Sequence, residues 1–282
     1  MFLVSSFLFA LMGVFVKLAS PYASANEIAL ARFSAGIVTA LVLARSGKIS
    51  LAANRKFLLI ARGIISGLAI MLFFAAIKTG SLTNTTVLNN TYPIFATVFA
   101  AFYLKEKVRP VVILPLVLSV LGIVLLTRPD FSNIRTGDLL ALASAIMAGM
   151  SVVMIRELRK TESAWAVFFY LSIFGAVFSG ILALPDFVVP AYSGIVYMVF
   201  VAAFGTVGQV INTAAYKYCT ASVGSVLSMS TAVFSSFFGL LFLGEKLTSL
   251  EAVGAAVILV SSTCVAYYGA AEQKAVKTGQ PQ

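Results

Sequence analysis

The sequence predicts an all-α integral membrane protein of ten transmembrane helices in two inverted five-helix repeats. Three observations carry that prediction. Hydrophobic residues make up 60% of the 282 positions and charged residues 11%, against about 45–50% and about 25% in a soluble domain, so there is too little polar surface to cover a water-solvated globule. Ten apolar runs follow one another with short charged or Pro/Gly-containing breaks, and a spanning helix needs about 20 such residues. Finally, the chain repeats itself. Leu104-Lys105-Glu106-Lys107 and Leu243-Gly244-Glu245-Lys246 each follow a long apolar run, 139 positions apart, and the same offset relates Ala76 and Lys78 to Ala215 and Lys217, Val87-Leu88 to Val226-Leu227, and Phe95 to Phe234. A duplicated hydrophobic unit is the signature of a carrier made of two related halves.

The first repeat, 1–128, holds runs near 2–18, 27–44, 57–77, 82–104 and 110–127. The first run opens at Met1 and ends at Lys17, and is read as a span rather than a cleaved leader. Ser24 and Glu27 form a Ser-x-x-Glu capping box ahead of the second. The third carries Arg62 near one end, where it can snorkel, and Lys78 at the other. The fourth is unusually polar, and Glu106 precedes the fifth, where a negative charge suits a helix N-terminus. The second repeat, 136–269, holds runs near 138–155, 164–184, 192–214, 220–243 and 248–268, with a polar tail at 270–282. Met147, Met150 and Met154 share a face of the sixth run, and Trp165 opens the seventh at a belt position. The eighth carries Gly205, Gly208, Gln209 and Asn212; the ninth is rich in Ser and Thr; Thr248 and Glu251 form a second capping box before the tenth.

Lysine and arginine counts set the expected orientation. With both termini in the cytoplasm, the inner loops and tail carry 13 basic residues and the outer loops 5, as the positive-inside rule requires. The expected location is the cytoplasmic (inner) membrane. Five spans per half is an odd number, so the block at 104–107 lies inside, its partner at 243–246 outside, and the halves are inverted. The net charge of +10 sits mostly between apolar segments, so no nucleic-acid partner is expected. The expected partners are the lipid bilayer and a small-molecule solute, with the protein a monomer or a homodimer.

The chain has no His, and its two cysteines, Cys219 and Cys264, stand alone. No metal, cofactor or disulfide framework is expected, nor any catalytic residue. An integral-membrane enzyme acting on lipid, the alternative reading, would need a general acid–base or nucleophile facing a cavity.

The candidate site lies on the two polar spans, which are repeat mates. Thr86, Asn90 and Pro93 share one arc of the fourth, with Asn89 at its edge; Ser225 and Ser228 lie on a comparable stripe of the ninth. An unpaired amide in hydrocarbon costs several kcal/mol, so these groups either line a solute cavity or join helices together. Pro93 has no N–H to give the Asn89 carbonyl, so it frees an acceptor or simply kinks the helix. Gln209 and Asn212 either line a vestibule or pair between spans. Arg32, inside the second span, contacts solute or a gate, or snorkels outward near Glu27. Lys78 and Lys217 complement helix dipoles or take part in gating or coupling.

These residues bring the chain close to a known family. It resembles the EamA-type transporters of the drug/metabolite transporter superfamily over almost its whole length. The resemblance rests on Pro21, Arg32-Phe33, Arg62-Gly63, Ala76-Ile77-Lys78, Pro93-Ile94-Phe95, Leu104, Glu106 and Gly122 in the first half, and on Ala215-Tyr216-Lys217, Phe234, Leu243-Gly244-Glu245-Lys246-Leu247-Thr248 and Gly254 in the second. Ala232 stands where Pro93 stands in the first half, and Ser261 where Gly122 stands. The resemblance implies ten helices in two inverted repeats, and transport, often outward, of small metabolites, amino acids, nucleobases, vitamins or drugs.

Overall fold

The computed structural model describes residues 1–79, 82–106, 110–127, 129, 136–243 and 248–278, with backbone alone at 74, 77, 78, 82, 83, 186, 243 and 268–278. The elements are α1 (Phe2–Ala19), α2 (Ala25–Arg45), α3 (Lys56–Thr79), α4 (Leu82–Asn89), α5 (Tyr92–Tyr103), α6 (Pro110–Thr127), α7 (Thr136–Leu158), α8 (Ala164–Ala183), α9 (Tyr192–Ala215), α10 (Ala221–Ser228), α11 (Ser230–Leu243) and α12 (Ser249–Thr278). Among the described residues, nine stretches are long and apolar enough to cross a membrane. The tenth expected span is the fourth, which is divided into α4 and α5.

Local chemistry explains where the helices begin. Ser24 and Glu27 form the expected capping box at α2, and Thr248 and Glu251 form the reciprocal pair at α12. Ser163 and Thr220 cap α8 and α10 through their hydroxyls. These side chains satisfy N–H groups that have no partner within the helix. At the C-terminus the helix outruns the expected span: α12 continues to Thr278 because Ala, Glu, Gln and Lys are all good helix formers despite their polarity.

The fourth and ninth spans both break, and at the same place in the repeat. In the fourth, the Thr91 N–H bonds to the Leu88 carbonyl at 3.1 Å and the Ile94 N–H to Thr91 at 2.9 Å. In the ninth, Met229 bonds back to Val226 at 3.1 Å and Ala232 to Met229 at 3.0 Å. Both are tight i→i+3 turns inserted between α-helical stretches. Pro93 marks the first break; no proline marks the second.

Packing follows the same duplication. α1 lies along α9, and its repeat mate α7 lies along α3; α1 also packs on α11 as α7 packs on α5. α2 pairs with its own mate α8, and α6 with its mate α12. The α2–α8 contact is reciprocal: a Cβ on Gly36 would stand 2.7 Å from the Phe168 ring, and one on its mate Gly175 would stand 2.7 Å from the ring of Phe33. Each glycine thus makes room for a phenylalanine from the opposite helix. α6 and α12 meet at Gly122 and Gly254, close enough that a Cβ on either would press on the other's carbonyl.

Carboxylates join the halves at the helix ends. Glu27 accepts the Val188 N–H at 2.6 Å, ahead of α9. Glu162 accepts the N–H groups of Asn54 at 3.2 Å and Arg55 at 2.9 Å, ahead of α3. Glu106 accepts the Ala221 N–H at 3.1 Å, at the start of α10. Glu106 stands ahead of α6 (Pro110–Thr127), as expected, and its carboxylate also serves a helix of the other half. Glu106 also pairs with Arg156 at 3.4 Å, and Arg156 donates to the carbonyls of Tyr216 at 2.9 Å and Lys217 at 3.1 Å.

Candidate functional site

The two helix breaks face other helices rather than lipid. At the first, the Ser144 hydroxyl on α7 is placed to donate to Asn89 Oδ1 at 3.0 Å and to the Ala69 carbonyl of α3 at 2.8 Å. Asn90 turns its side-chain amide back to the Thr86 carbonyl at 2.8 Å, so it secures the end of α4. Pro93 is buried at the start of α5. At the second break, the Ser228 hydroxyl donates to the Gly224 carbonyl at 2.9 Å and lies 3.4 Å from Asn212 Oδ1 on α9. The Ser6 hydroxyl of α1 reaches the Ser228 carbonyl at 3.5 Å. Mate helices therefore buttress mate breaks: α3 and α7 at the first, α9 and α1 at the second.

Tyr92 connects the two. Its hydroxyl lies 3.5 Å from the Ser225 carbonyl. Ser225 is itself fully buried and bonds back to the Ser222 carbonyl at 2.9 Å. It contributes its carbonyl here rather than its hydroxyl. The packing of α5 on α10 brings the two broken spans together. Of the residues expected from the sequence, Asn89, Asn90, Thr86 and Pro93 therefore cluster at one break, and Ser225, Ser228 and Asn212 at the other.

Gln209 stands one turn from Asn212 along α9, and there Arg32 joins the polar track. Arg32 Nη2 lies 3.5 Å from Gln209 Oε1, with the Phe33 ring centroid 5.1 Å from the guanidinium carbon. Lys217 does not join the cluster; it is exposed in the turn after α9. The Lys78 side chain and the block at 244–247 lie outside the described residues. Arg62 is fully buried rather than snorkelling: its guanidinium donates to the Val167 carbonyl of α8 at 3.2 Å. Separately, an apolar groove of about 630 Å³ runs between α2 and α9, with Ala31, Ala35, Met198 and Ala202 among its lining residues. None of the expected site residues lines it.

Sequence reasoning missed Tyr92, Ser144 and Ser6. Tyr92 was legible, since it stands three residues after Asn89 and shares its face. Ser144 and Ser6 are single serines in apolar runs, and nothing in the pattern distinguishes them from packing residues.

A membrane protein made of two similar halves, with polar groups gathered at paired helix breaks, is what a family model also matches. The EamA-like transporter family covers residues 1–128 and 135–267. The chain belongs to the EamA-like transporter family. It is 28% identical to the pseudopaline exporter CntI of Pseudomonas aeruginosa over 93% of both chains. It is 29% identical to human solute carrier family 35 member G1 over 92% of this chain and 76% of that one. A solved crystal structure aligns with a TM-score of 0.77 at 17% identity, covering 94% of this chain and 97% of the other, which supports the fold alone. The protein is a multi-pass membrane transporter of a small-molecule solute. With relatives that are named transporters and exporters, the lipid-enzyme alternative falls away.

Proposed function

We propose that this protein is a secondary carrier that moves a small neutral or zwitterionic organic metabolite by alternating access, as an exporter or an exchanger. The observation that carries this reading is the pair of helix breaks at equivalent positions in the two repeats. Broken helices at membrane depth are tolerated only where they are buried in protein or line a cavity, and in carriers such breaks form the solute site between repeats. Here the breaks present Asn89, Asn90 and Tyr92 from one half, and Ser228 with Asn212 from the other. The two repeats, 1–128 and 136–269, insert with opposite polarity, so the same packing can open to either side. Both termini face the cytoplasm, and the membrane is the inner one. Amino acids, nucleobases, vitamins and drugs fit a site rich in hydrogen-bonding groups and without an acidic side chain.

Two experiments test this. Reporter tags at 105 and 246 should lie on opposite sides of the bilayer; tags on the same side would overturn the inverted arrangement and the carrier mechanism with it. In vesicles, Asn89→Ala and Asn90→Ala should impair solute flux while the purified proteins remain folded. Wild-type flux in both would remove the first break from the site.

A further inference from the structure

Arg32 is a half-buried cation inside a membrane span, and among the described residues no acidic side chain pairs with it. Its Nε is buried and makes no hydrogen bond. Among the described residues its side-chain hydrogen bond is the long contact to neutral Gln209. Arg55 and Lys160 pair with Glu157, and Arg156 with Glu106; among the described residues no such pair includes Arg32. Glu27, the neighbouring acid in sequence, is already committed: one oxygen accepts the Ser24 N–H at 2.6 Å and the other accepts the Val188 N–H at 2.6 Å. A buried charge without a counter-ion is strongly unfavourable, and intramembrane arginines occur where a pathway or ligand uses them.

The surroundings are shaped to hold the guanidinium there. A Cβ on Gly205 of α9 would stand 2.6 Å from Arg32 Nε and 2.9 Å from Met12 Sδ of α1. Glycine at 205 is therefore what allows the arginine to lie between α1, α2 and α9. Arg62 shows the contrast. It is more deeply buried and its Nε also lacks a partner, but its guanidinium donates to a backbone carbonyl within the α3–α8 packing.

We propose that Arg32 anchors the carboxylate of a small zwitterionic organic solute, with Gln209 beside it as a hydrogen-bonding partner, which narrows the solute class above to its carboxylate-bearing members. The planar fork of arginine matches a carboxylate with two parallel N–H bonds. A single guanidinium balances one negative charge, and none of the groups touching it is a second cation, so a dianionic phosphate ester would carry unpaired charge. From Gln209 to Asn212 is a rise of about 4.5 Å along the helix. A solute held at Arg32 by its carboxylate would thus present its next polar groups to Asn212 and Ser228. This deepens the carrier reading and rests on it for the meaning of binding, though not for binding itself.

The test is thermal unfolding of the purified full-length protein against matched probes. These are the L-amino acids and unbranched C2–C6 monocarboxylates, each set beside its carboxamide, and the amines that lack the carboxyl group. Ligands that bind the folded form raise its apparent stability. At least one carboxylate should stabilise the wild type, with its carboxamide at least tenfold weaker. Arg32→Gln should lose that preference, and Arg32→Lys should retain part of it. Gly205→Ala, which keeps the charge but displaces the guanidinium, should weaken carboxylate binding at least tenfold. Arg62→Gln should leave the preference intact. No stabilisation by any carboxylate, equal response to the carboxamides, or a wild-type response in Arg32→Gln and Gly205→Ala would overturn the proposal. Flux in proteoliposomes separates the two readings. Carboxylate binding without flux of any solute sinks the carrier and leaves the site, whereas flux of a carboxylate untouched by Arg32→Gln sinks the site and leaves the carrier.

Discussion

Removing the Glu106 carboxylate should loosen one end of the molecule by an amount that can be worked out. Glu106→Ala deletes a charged acceptor bonded to the Ala221 N–H at 3.1 Å. A hydrogen bond to a charged group contributes about 1.5–3 kcal/mol, and a negative charge at a helix N-terminus is part of that figure. The pair with Arg156 adds less, because Arg156 keeps the Tyr216 and Lys217 carbonyls. A loss of about 2 kcal/mol is a factor of about 30 in the ratio of closed to open arrangements. The protein carries its own reporter. Cys219 lies in the turn between these carbonyls and α10, where burial pushes its thiol up to about 12; a thiol held protonated reacts slowly. In a Cys264→Ser background, Glu106→Ala should raise the rate of maleimide modification at Cys219 by about 30-fold, and Glu106→Gln by less, since it keeps an acceptor. Opening exposes the thiol and returns its pKa toward the ordinary range, so both effects have the same sign. An unchanged rate in Glu106→Ala would refute the argument that this carboxylate holds α10 in place.

Other outcomes follow from the same geometry. Gly36→Ala and Gly175→Ala should each lower stability by about 1–3 kcal/mol, read as earlier thermal unfolding, because each new Cβ meets a phenylalanine ring; wild-type melting of both would show that α2 and α8 separate freely. Glu162→Ala should destabilise by about 1.5–3 kcal/mol through the unpaired N–H groups ahead of α3, and Glu162→Gln by less. Ser144→Ala should cost about 1 kcal/mol and, if Asn89 is held for solute, raise the concentration needed for half-maximal flux more than it lowers the maximum; equal loss in both would assign Ser144 to packing alone.

Much of the fold was legible because hydrophobic span length and repeat offset are local or periodic signals. The break at 89–92 carried its own notice in Pro93 and the adjacent amides. Its mate did not: Ala232 can continue a helix, and the turn at Met229 is set by the serines and by α1 and α9 packed around it. The capping boxes at Ser24 and Thr248 were readable because both partners lie within four residues. The bond from Ala221 to Glu106 is not legible in the sequence, because the two residues are 115 positions apart. The polarity of 270–278 suggested a tail, where backbone propensity sustains the helix. In the site, Glu27 lies near Arg32 in sequence, but the structure commits Glu27 to backbone N–H groups and leaves the guanidinium beside Gln209.

The way the repeats pack has a consequence for biosynthesis. Most of the neighbours of α1, α2, α3 and α5 belong to the later-made half: α9 and α11, α8 and α9, α7 and α8, and α7. The first five spans must therefore wait in the lipid, side by side and mostly unmatched, until the ribosome delivers their counterparts. Folding is then the zipping of one waiting set of helices into another. Two separately expressed halves should be proteolysed when each is made alone and should survive when made together.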